Sequence, residues 1–433
     1  MIVRNFILSM IFLLSACSHS NKFFEEISAS KTGIDFNNYL EESDEMNVLN
    51  YTYFYNGGGV ATGDLNNDGL PDIVFTGNMV RNKIFINKGN MQFDDITSTS
   101  GIAEKQGWCT GVTLVDINSD GWLDIYICRS ADVNPERRTN LLFINNKDLT
   151  FSEKASEYGL ADQGYSTQAA FFDYDRDGDL DMYLLNNSFT PIDKLGYTNL
   201  REDRDKLGGD KLFRNDSKDG KELQFTDVSE TAGIYGSLIG FGLGITLGDV
   251  NNDNWPDIYI SNDFYERDYL YINQQNGTFK EDLENQMPHI SLSSMGADMA
   301  DLNDDGYMDI FVTDMLPGDD RRLKTTSVFE GYNLVELKKK RGFWHQYMRN
   351  NLQLNNGDGT FSEVGQLAGV HATDWSWGAL IFDMDNDGKK DIFVANGIAK
   401  DLTDQDFVDF LGDRNTMQQM LDGKKFDYKE FTD

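Results

Sequence analysis

The stretch DLNNDGLPD places oxygen-bearing side chains at its first, third, fifth and ninth positions: Asp64, Asn66, Asp68 and Asp72. Carboxylates held a few ångströms apart in a partly desolvated loop repel one another unless a cation sits among them. The same spacing returns at Asp116, Asn118, Asp120 and Asp124, and again at Asp173, Asp175, Asp177 and Asp181. Three further copies follow: Asp249, Asn251, Asp253 and Asp257; Asp301, Asn303, Asp305 and Asp309; Asp383, Asp385, Asp387 and Asp391. Asp and Asn oxygens are hard ligands of the kind Ca²⁺ gathers about six to eight at a time, and a backbone carbonyl at position 7 can add another. One such run reads equally well as an Asp/Asn/Gly turn with no ion. Six copies with kept spacing point to calcium sites, up to six of them. Position 6 is Gly in five copies and Asn254 in the fourth, the residue types that tolerate a left-handed backbone where a loop wraps tightly.

An EF-hand opens in the same way but needs a bidentate Glu at position 12 and an outgoing helix. The twelfth positions are Phe75, Ile127, Leu184, Ile260, Val312 and Val394, inside runs such as DIVFTGN, DIYICRS and DIFVTDM. These runs are β-branched, aromatic and closed by turn residues, as strands are. The incoming segments, GVTLVD and GITLGD among them, are short and apolar too, so each loop is read as the tip of a β-hairpin. An apolar run ending in Asn follows each of the first five (KIFIN, LLFIN, KLFRN, YLYIN, LQLN), then a short run opened by Phe93, Phe151, Phe225, Phe279 or Phe361. Four strands per unit result.

The loop-opening aspartates are 52, 57, 76, 52 and 82 residues apart, a basal unit near 52 with two inserts. Four-stranded units repeated this way cannot bury both faces alone. An all-β propeller of about six to seven blades is the expected architecture, with a linear solenoid as the alternative. Phe23-Phe24 followed by Gly33-Ile34 matches the fourth-strand signature without a hairpin before it, an orphan strand that could complete a blade begun by the last repeat.

On these motifs, residues 23–397 resemble the FG-GAP or VCBS repeat propellers, similar to the ligand-binding head of integrin α chains. The resemblance implies that the four aligned residues of each loop are calcium ligands. Phe241-Gly242 and Gly244-Ile245-Thr246 look like the incoming strand that names the repeat. Large exported bacterial lipoproteins of this type often carry more repeats and a further domain. Residues 398–433 depart from that: Leu402, Phe407, Phe410 and Leu411 have helical spacing, and Phe431-Thr432-Asp433 echoes the start of a fourth strand.

The 433 residues carry a formal charge of -34, which argues against nucleic acid or anionic lipid as partners. Arg4, an apolar run from Phe6 to Leu14, and Leu14-Ser15-Ala16-Cys17 read as a lipoprotein signal over residues 1–17, too short to span a bilayer. Cys17 is then the lipidated residue, and the protein is exported and anchored by lipid to the bacterial outer membrane or cell surface. Cys109 and Cys128 flank the second loop; a disulfide between them is possible by compartment, but one residue of register puts them on opposite faces and leaves two buried thiols.

The insert from about Asn187 to Asp210 is polar and is expected as a surface loop. The second, about Leu316 to Asn350, is basic: Lys338, Lys339, Lys340 and Arg341 stand beside Phe343, Trp344 and Tyr347. It is the expected contact for a protein or glycan ligand at the envelope, with Trp344 stacking and the basic run attracting acidic groups; folding against the acidic rim is the competing reading. No nucleophile elbow, zinc motif or phosphate loop is present, so no catalytic residue is assigned. Asp374 beside Trp375 and Trp377 is the best site for the alternative, a carbohydrate-active enzyme using paired carboxylates.

Overall fold

A computed structural model describes residues 24–43, 46–48, 50–102, 107–132, 134–190, 195–217, 223–327 and 330–412. Every loop joins two antiparallel strands, and each of the first five hairpins is extended to a four-stranded meander. The first comprises β1 (Val60–Gly63), β2 (Asp72–Phe75), β3 (Lys83–Asn87) and β4 (Phe93–Asp95). The second comprises β5 (Trp108–Val115), β6 (Asp124–Ser130), β7 (Leu141–Asn145) and β8 (Phe151–Glu153). The third is β9 (Ser166–Phe172), β10 (Asp181–Asn186), β11 (Lys211–Asn215) and β12 (Phe225–Asp227). The fourth is β13 (Gly242–Gly248), β14 (Asp257–Asn262), β15 (Tyr269–Asn273) and β16 (Phe279–Glu281). After β17 (Ile290–Ser291) come β18 (Gly296–Ala300) and β19 (Asp309–Thr313), then β20 (Gln346–Tyr347), which pairs in parallel with β17. The fifth sheet is completed by β21 (Asn351–Asn355) and β22 (Phe361–Glu363). The sixth consists of β23 (Ser376–Phe382) and β24 (Asp391–Asn396) among the described residues.

The first strands of successive sheets lie side by side, β1 by β5, then β9, β13, β18 and β23. Hydroxyls stitch them: Thr113 Oγ1 donates to the Ala169 carbonyl at 2.7 Å and Thr246 Oγ1 to the Ala297 carbonyl at 2.8 Å. Second strands are covered on both faces, so β6, β10, β14 and β19 are buried along their whole length. Their runs therefore read as continuously apolar instead of alternating. Separate cores fill the gaps between neighbouring sheets: Val74 and Ile84 meet Ile125 and Phe143, Tyr126 and Leu142 meet Met182 and Phe213, and Leu212 meets Ile258 and Tyr271. This is the all-β, propeller-like stacking expected from the repeat.

Cys109 faces Arg129 across the β5–β6 pair and joins the core between the first two sheets; Cys128 joins the next core. Both are free thiols, as the pleat requires when two side chains lie on opposite faces. The N-terminal segment meets its expectation in position but not in hydrogen bonding. Residues 24–28 are not assigned as strand, yet the Phe24 ring sits edge-on to Phe393 of β24 at 6.0 Å, while Gly33 abuts the Phe93 carbonyl of the first sheet. One segment thus touches the sixth sheet and the first. The tail is helical over Gln405–Gly412; Cys17, Phe23 and residues 413–433 lie outside the described residues.

The glycine eight residues after the fourth-strand Phe has a structural cause. Gly233 adopts φ +82°, and a Cβ there would lie 2.6 Å from the Phe279 carbonyl oxygen of the next sheet. Gly369 has a similar φ of +77° but open space around it. Gly369→Ala should cost only the left-handed strain, about 1–2 kcal/mol. Gly233→Ala adds overpacking of roughly 1–3 kcal/mol. Urea unfolding of the two variants checks this, and equal losses would contradict the sheet-to-sheet contact.

Candidate functional site

Each loop is organised by its own carboxylates. The first-position Asp accepts the backbone N–H groups of positions 5 and 6: in the first loop, Asp68 N–H to Asp64 Oδ1 at 3.1 Å and Gly69 N–H to Asp64 Oδ2 at 2.7 Å. The bonds recur at Asp116, Asp173, Asp249, Asp301 and Asp383. Position 6 is left-handed in all six loops, including Asn254 at φ 68°, as its residue types predict. Position 4 is left-handed as well, at Asn67, Ser119, Arg176, Asn252, Asp304 and Asn386. Sequence reading missed this, because Ser and Arg carry no signal for it.

The ninth-position Asp is buried at the loop's base in the first five sheets. Asp72 accepts from Leu65 N–H and from Asn87 N–H at the end of β3, both at 2.8 Å. Asp124, Asp181, Asp257 and Asp309 repeat the arrangement with Asn145, Asn215, Asn273 and Asn355. Almost any residue could supply that backbone N–H; the Asn is selected by its side chain, which in all five sheets donates to the carbonyl just before the ninth-position Asp and accepts the N–H two residues further on. Three of those side chains also reach the preceding sheet's loop, Asn145 to the Leu65 carbonyl at 2.9 Å, Asn273 to Tyr174 at 2.8 Å and Asn355 to Val250 at 2.7 Å.

Burial raises the pKa of these carboxyls: Asp72 and Asp309 shift upward, Asp124 and Asp257 reach about 7, and Asp181 about 8. A group of this kind is short of positive charge. In the third loop one oxygen each from Asp173, Asp175 and Asp177 lie within 4.8 Å of one another, as do those of Asp383, Asp385 and Asp391 in the sixth. Asp175 Oδ1 is buried without a hydrogen-bond partner among the described residues. The donor set, hard oxygens with an orphaned acceptor, fits a divalent cation of the Ca²⁺ type.

On the opposite face the second-to-third-strand connections gather. The basic insert forms helices Asp320–Thr326 and Tyr332–Lys340 and packs against segments of the neighbouring sheets. Lys338, expected to attract a partner, is buried, pairs with Glu330 at 2.7 Å and lies 4.8 Å from the centre of the Tyr265 ring. Phe343 is fully buried against Ile239, and Trp344 donates its Nε1–H to the Met287 carbonyl at 3.0 Å. These three expectations are corrected: the apolar and aliphatic parts of the insert are spent on packing, which draws Lys338 inward. Lys339 pairs with Glu336, while Lys340, Arg341 and Tyr347 stay exposed. The first insert is no mere surface loop either, since its Arg201 is buried in an ion pair with Glu266 and also donates to the Gly342 carbonyl. Asp374 pairs with Arg322. Beside it opens a cavity of about 250 Å³ lined by Tyr53, Trp375 and Trp377, with Asp263 as its carboxyl.

Comparison with known proteins adds the repeat's family. Residues 51–127, 249–312 and 343–394 match the FG-GAP-like repeat. It is 26% identical to mouse cartilage acidic protein 1 over 276 residues, 58% of this chain and 39% of that one. The Xenopus tropicalis protein of the same name is 30% identical over 145 residues, 34% of this chain and 21% of its own. Mouse integrin alpha-3 is 31% identical over 114 residues, 23% of this chain and 10% of its own. The chain therefore spans at most 39% of the length of these relatives. Among solved structures, the V. cholerae biofilm matrix protein Bap1 aligns with 70% of this chain and 38% of its own at 13% identity, with a TM-score of 0.30.

A second recurring site escaped the sequence reading. The residue just before each third strand, Asn82, Asn140, Asp210, Asp268 or Asn350, accepts the N–H at the tail of the second strand. An Asn or Asp ahead of each apolar run was the signal available. Burial pushes Asp268 up to about 7, and it also accepts from the Tyr259 and Ser294 hydroxyls. With the folded pKa above the unfolded one near 4, its contribution is complete below about pH 4 and is lost as pH rises through about 7. Asp268→Asn, the residue type other sheets use here, removes that titration. Wild type should lose stability relative to this variant between about pH 4 and 8 in denaturant titrations. A difference independent of pH would contradict the assignment.

Proposed function

We propose that this chain is a calcium-binding propeller module that binds or assembles partners at the bacterial cell envelope, exported and held there by lipid on Cys17. The observation that carries the calcium reading is the convergence of Asp173, Asp175 and Asp177 oxygens around an acceptor with no partner, in a loop type repeated six times. Residues at positions 1, 3, 5 and 9 would hold the ion, and the ion would supply the positive charge that the buried ninth-position carboxyls lack. The similarity to cartilage acidic protein 1 and integrin alpha-3 supports a binding or adhesion role. No helix among the described residues is long and apolar enough to cross a membrane, and the proposed anchor needs none. The partner is a protein or a glycan.

Binding is favoured over glycoside cleavage by the cavity beside Trp375. Such cleavage uses two carboxyl groups across the scissile bond in most enzymes. The cavity's lining contains Asp263 alone, and Asp374 is held outside it by Arg322. Excess chelator should lower the melting temperature, and added Ca²⁺ should restore it, because binding to the folded state alone stabilises by mass action. An unchanged melting curve would sink the calcium reading. Cys17→Ala should move the protein from the membrane fraction to the soluble one; continued sedimentation with membranes would refute lipid anchoring.

A further inference from the structure

The cavity on the face opposite the loops is assembled from segments distant in sequence: Tyr53 and Tyr55 ahead of β1, Asp263 and Phe264 after β14, Trp375 and Trp377 at the start of β23. Its volume of about 250 Å³ leaves room for one six-membered ring with its substituents. The two indoles stack 5.9 Å apart at 24°. Trp377 is fixed by its Nε1–H, which donates to the Gly397 carbonyl at 2.7 Å, and the Tyr53 ring stands edge-on to it at 6.4 Å. From the basic insert, Arg322 reaches across to pair with both Asp374 and Asp401, bracing this wall. The insert thus positions the cavity's side. Phe264 and Asp374, at its border, hold left-handed φ values of 62° and 65°. Such strained non-glycine residues gather at ligand sites.

The wall chemistry selects a ligand. A pyranose has an apolar C–H face that lies on an indole ring and a rim of hydroxyls that need fixed partners. The Trp377 ring, Asp263 and Asn56 line the cavity, with Thr403, whose hydroxyl donates to Asp401, beside them. A wholly apolar ligand would offer the Asn56 amide no partner. Asp263 accepts from the Tyr53 hydroxyl and the Phe264 N–H, which fixes its carboxyl in place, and each oxygen keeps a further lone pair for a hydroxyl donor. Burial also pushes Asp263 up to about 7, which reduces its charge.

Resting on the binding-module reading, we propose that this cavity holds one pyranose ring of a glycan, with Trp377 as the stacking platform and Asp263 fixing a hydroxyl. The full chain is titrated with the methyl glycosides of glucose, galactose, mannose, fucose and N-acetylglucosamine, and with tetramethylammonium, following tryptophan fluorescence and saturation-transfer NMR. At least one glycoside should bind one-to-one with a Kd at or below about 10 mM, and Trp377→Ala and Asp263→Asn should each weaken it at least about tenfold with calcium-dependent melting intact. If Trp377→Ala shifts the melting curve, Trp377→Phe, which keeps the packing and narrows the platform, should weaken the same glycoside without that shift. No binding by any glycoside at about 10 mM, or binding of tetramethylammonium alone, overturns the proposal. A glycoside whose affinity neither substitution changes overturns this site while leaving the binding-module reading intact. That reading fails separately, if the full chain captures neither a glycan nor an envelope protein.

Discussion

A carboxylate buried at the base of each of the first five hairpin loops, held by two backbone N–H groups, is the interaction on which the other features depend. In the second sheet Asp124 accepts from Ile117 at the loop's start and from Asn145 at the end of β7. It thereby joins the loop, the second strand and the third strand at one point. Asn145 in turn donates to the Leu65 carbonyl of the preceding sheet, so the local knot also sets the spacing between sheets. Removing one partner of such a buried group leaves a desolvated charge or donor, which costs about 1–3 kcal/mol or more. The arrangement is therefore cooperative within a sheet and between neighbours.

The same burial creates an electrostatic demand. A carboxyl shifted to about 7 or 8, as Asp124 and Asp181 are, sits poorly as an anion without a nearby cation. In the third loop the first-, third- and fifth-position oxygens converge within 4.8 Å of one another. A divalent ion among them would relieve repulsion there and stabilise the ninth-position charge below. In this account the ion is a structural element of each hairpin, and recognition is left to the other face. There the inserts, the connections between sheets and the aromatic cavity come together. The long insert contributes by packing and by Arg322, not by offering its basic run as a whole.

Much of the fold was legible because it is local and repeated. Strand, loop and strand follow one another in every unit, and Asn254 replacing Gly at a left-handed position read correctly from residue type. The apolar runs ending in Asn were recognised as strands, but the reason for the Asn was not. In the case of Asn273 the side-chain oxygen accepts the Gln275 N–H, and the amide meets the carbonyls of Pro256 and of Tyr174, which is 99 residues away in sequence. The insert failed for a related reason. A run of Lys and Arg looks solvated in sequence, and nothing local reveals that Lys338 lies against Tyr265 from the neighbouring sheet. The cavity was glimpsed only through Trp375 and Trp377, since Tyr53 and Asp263 join them across more than a hundred residues. Asp374 drew attention for its neighbours and proved to be a strut for the wall.

The central claim is that every one of the six loops is a cation site. Equilibrium dialysis of the purified full chain against Ca²⁺ at neutral pH, with bound metal counted by elemental mass spectrometry, addresses it most directly. The account predicts a stoichiometry approaching six calcium ions per chain, matching the six loops. Saturation at zero or one ion would contradict it and would leave the loops as hydrogen-bonded turns.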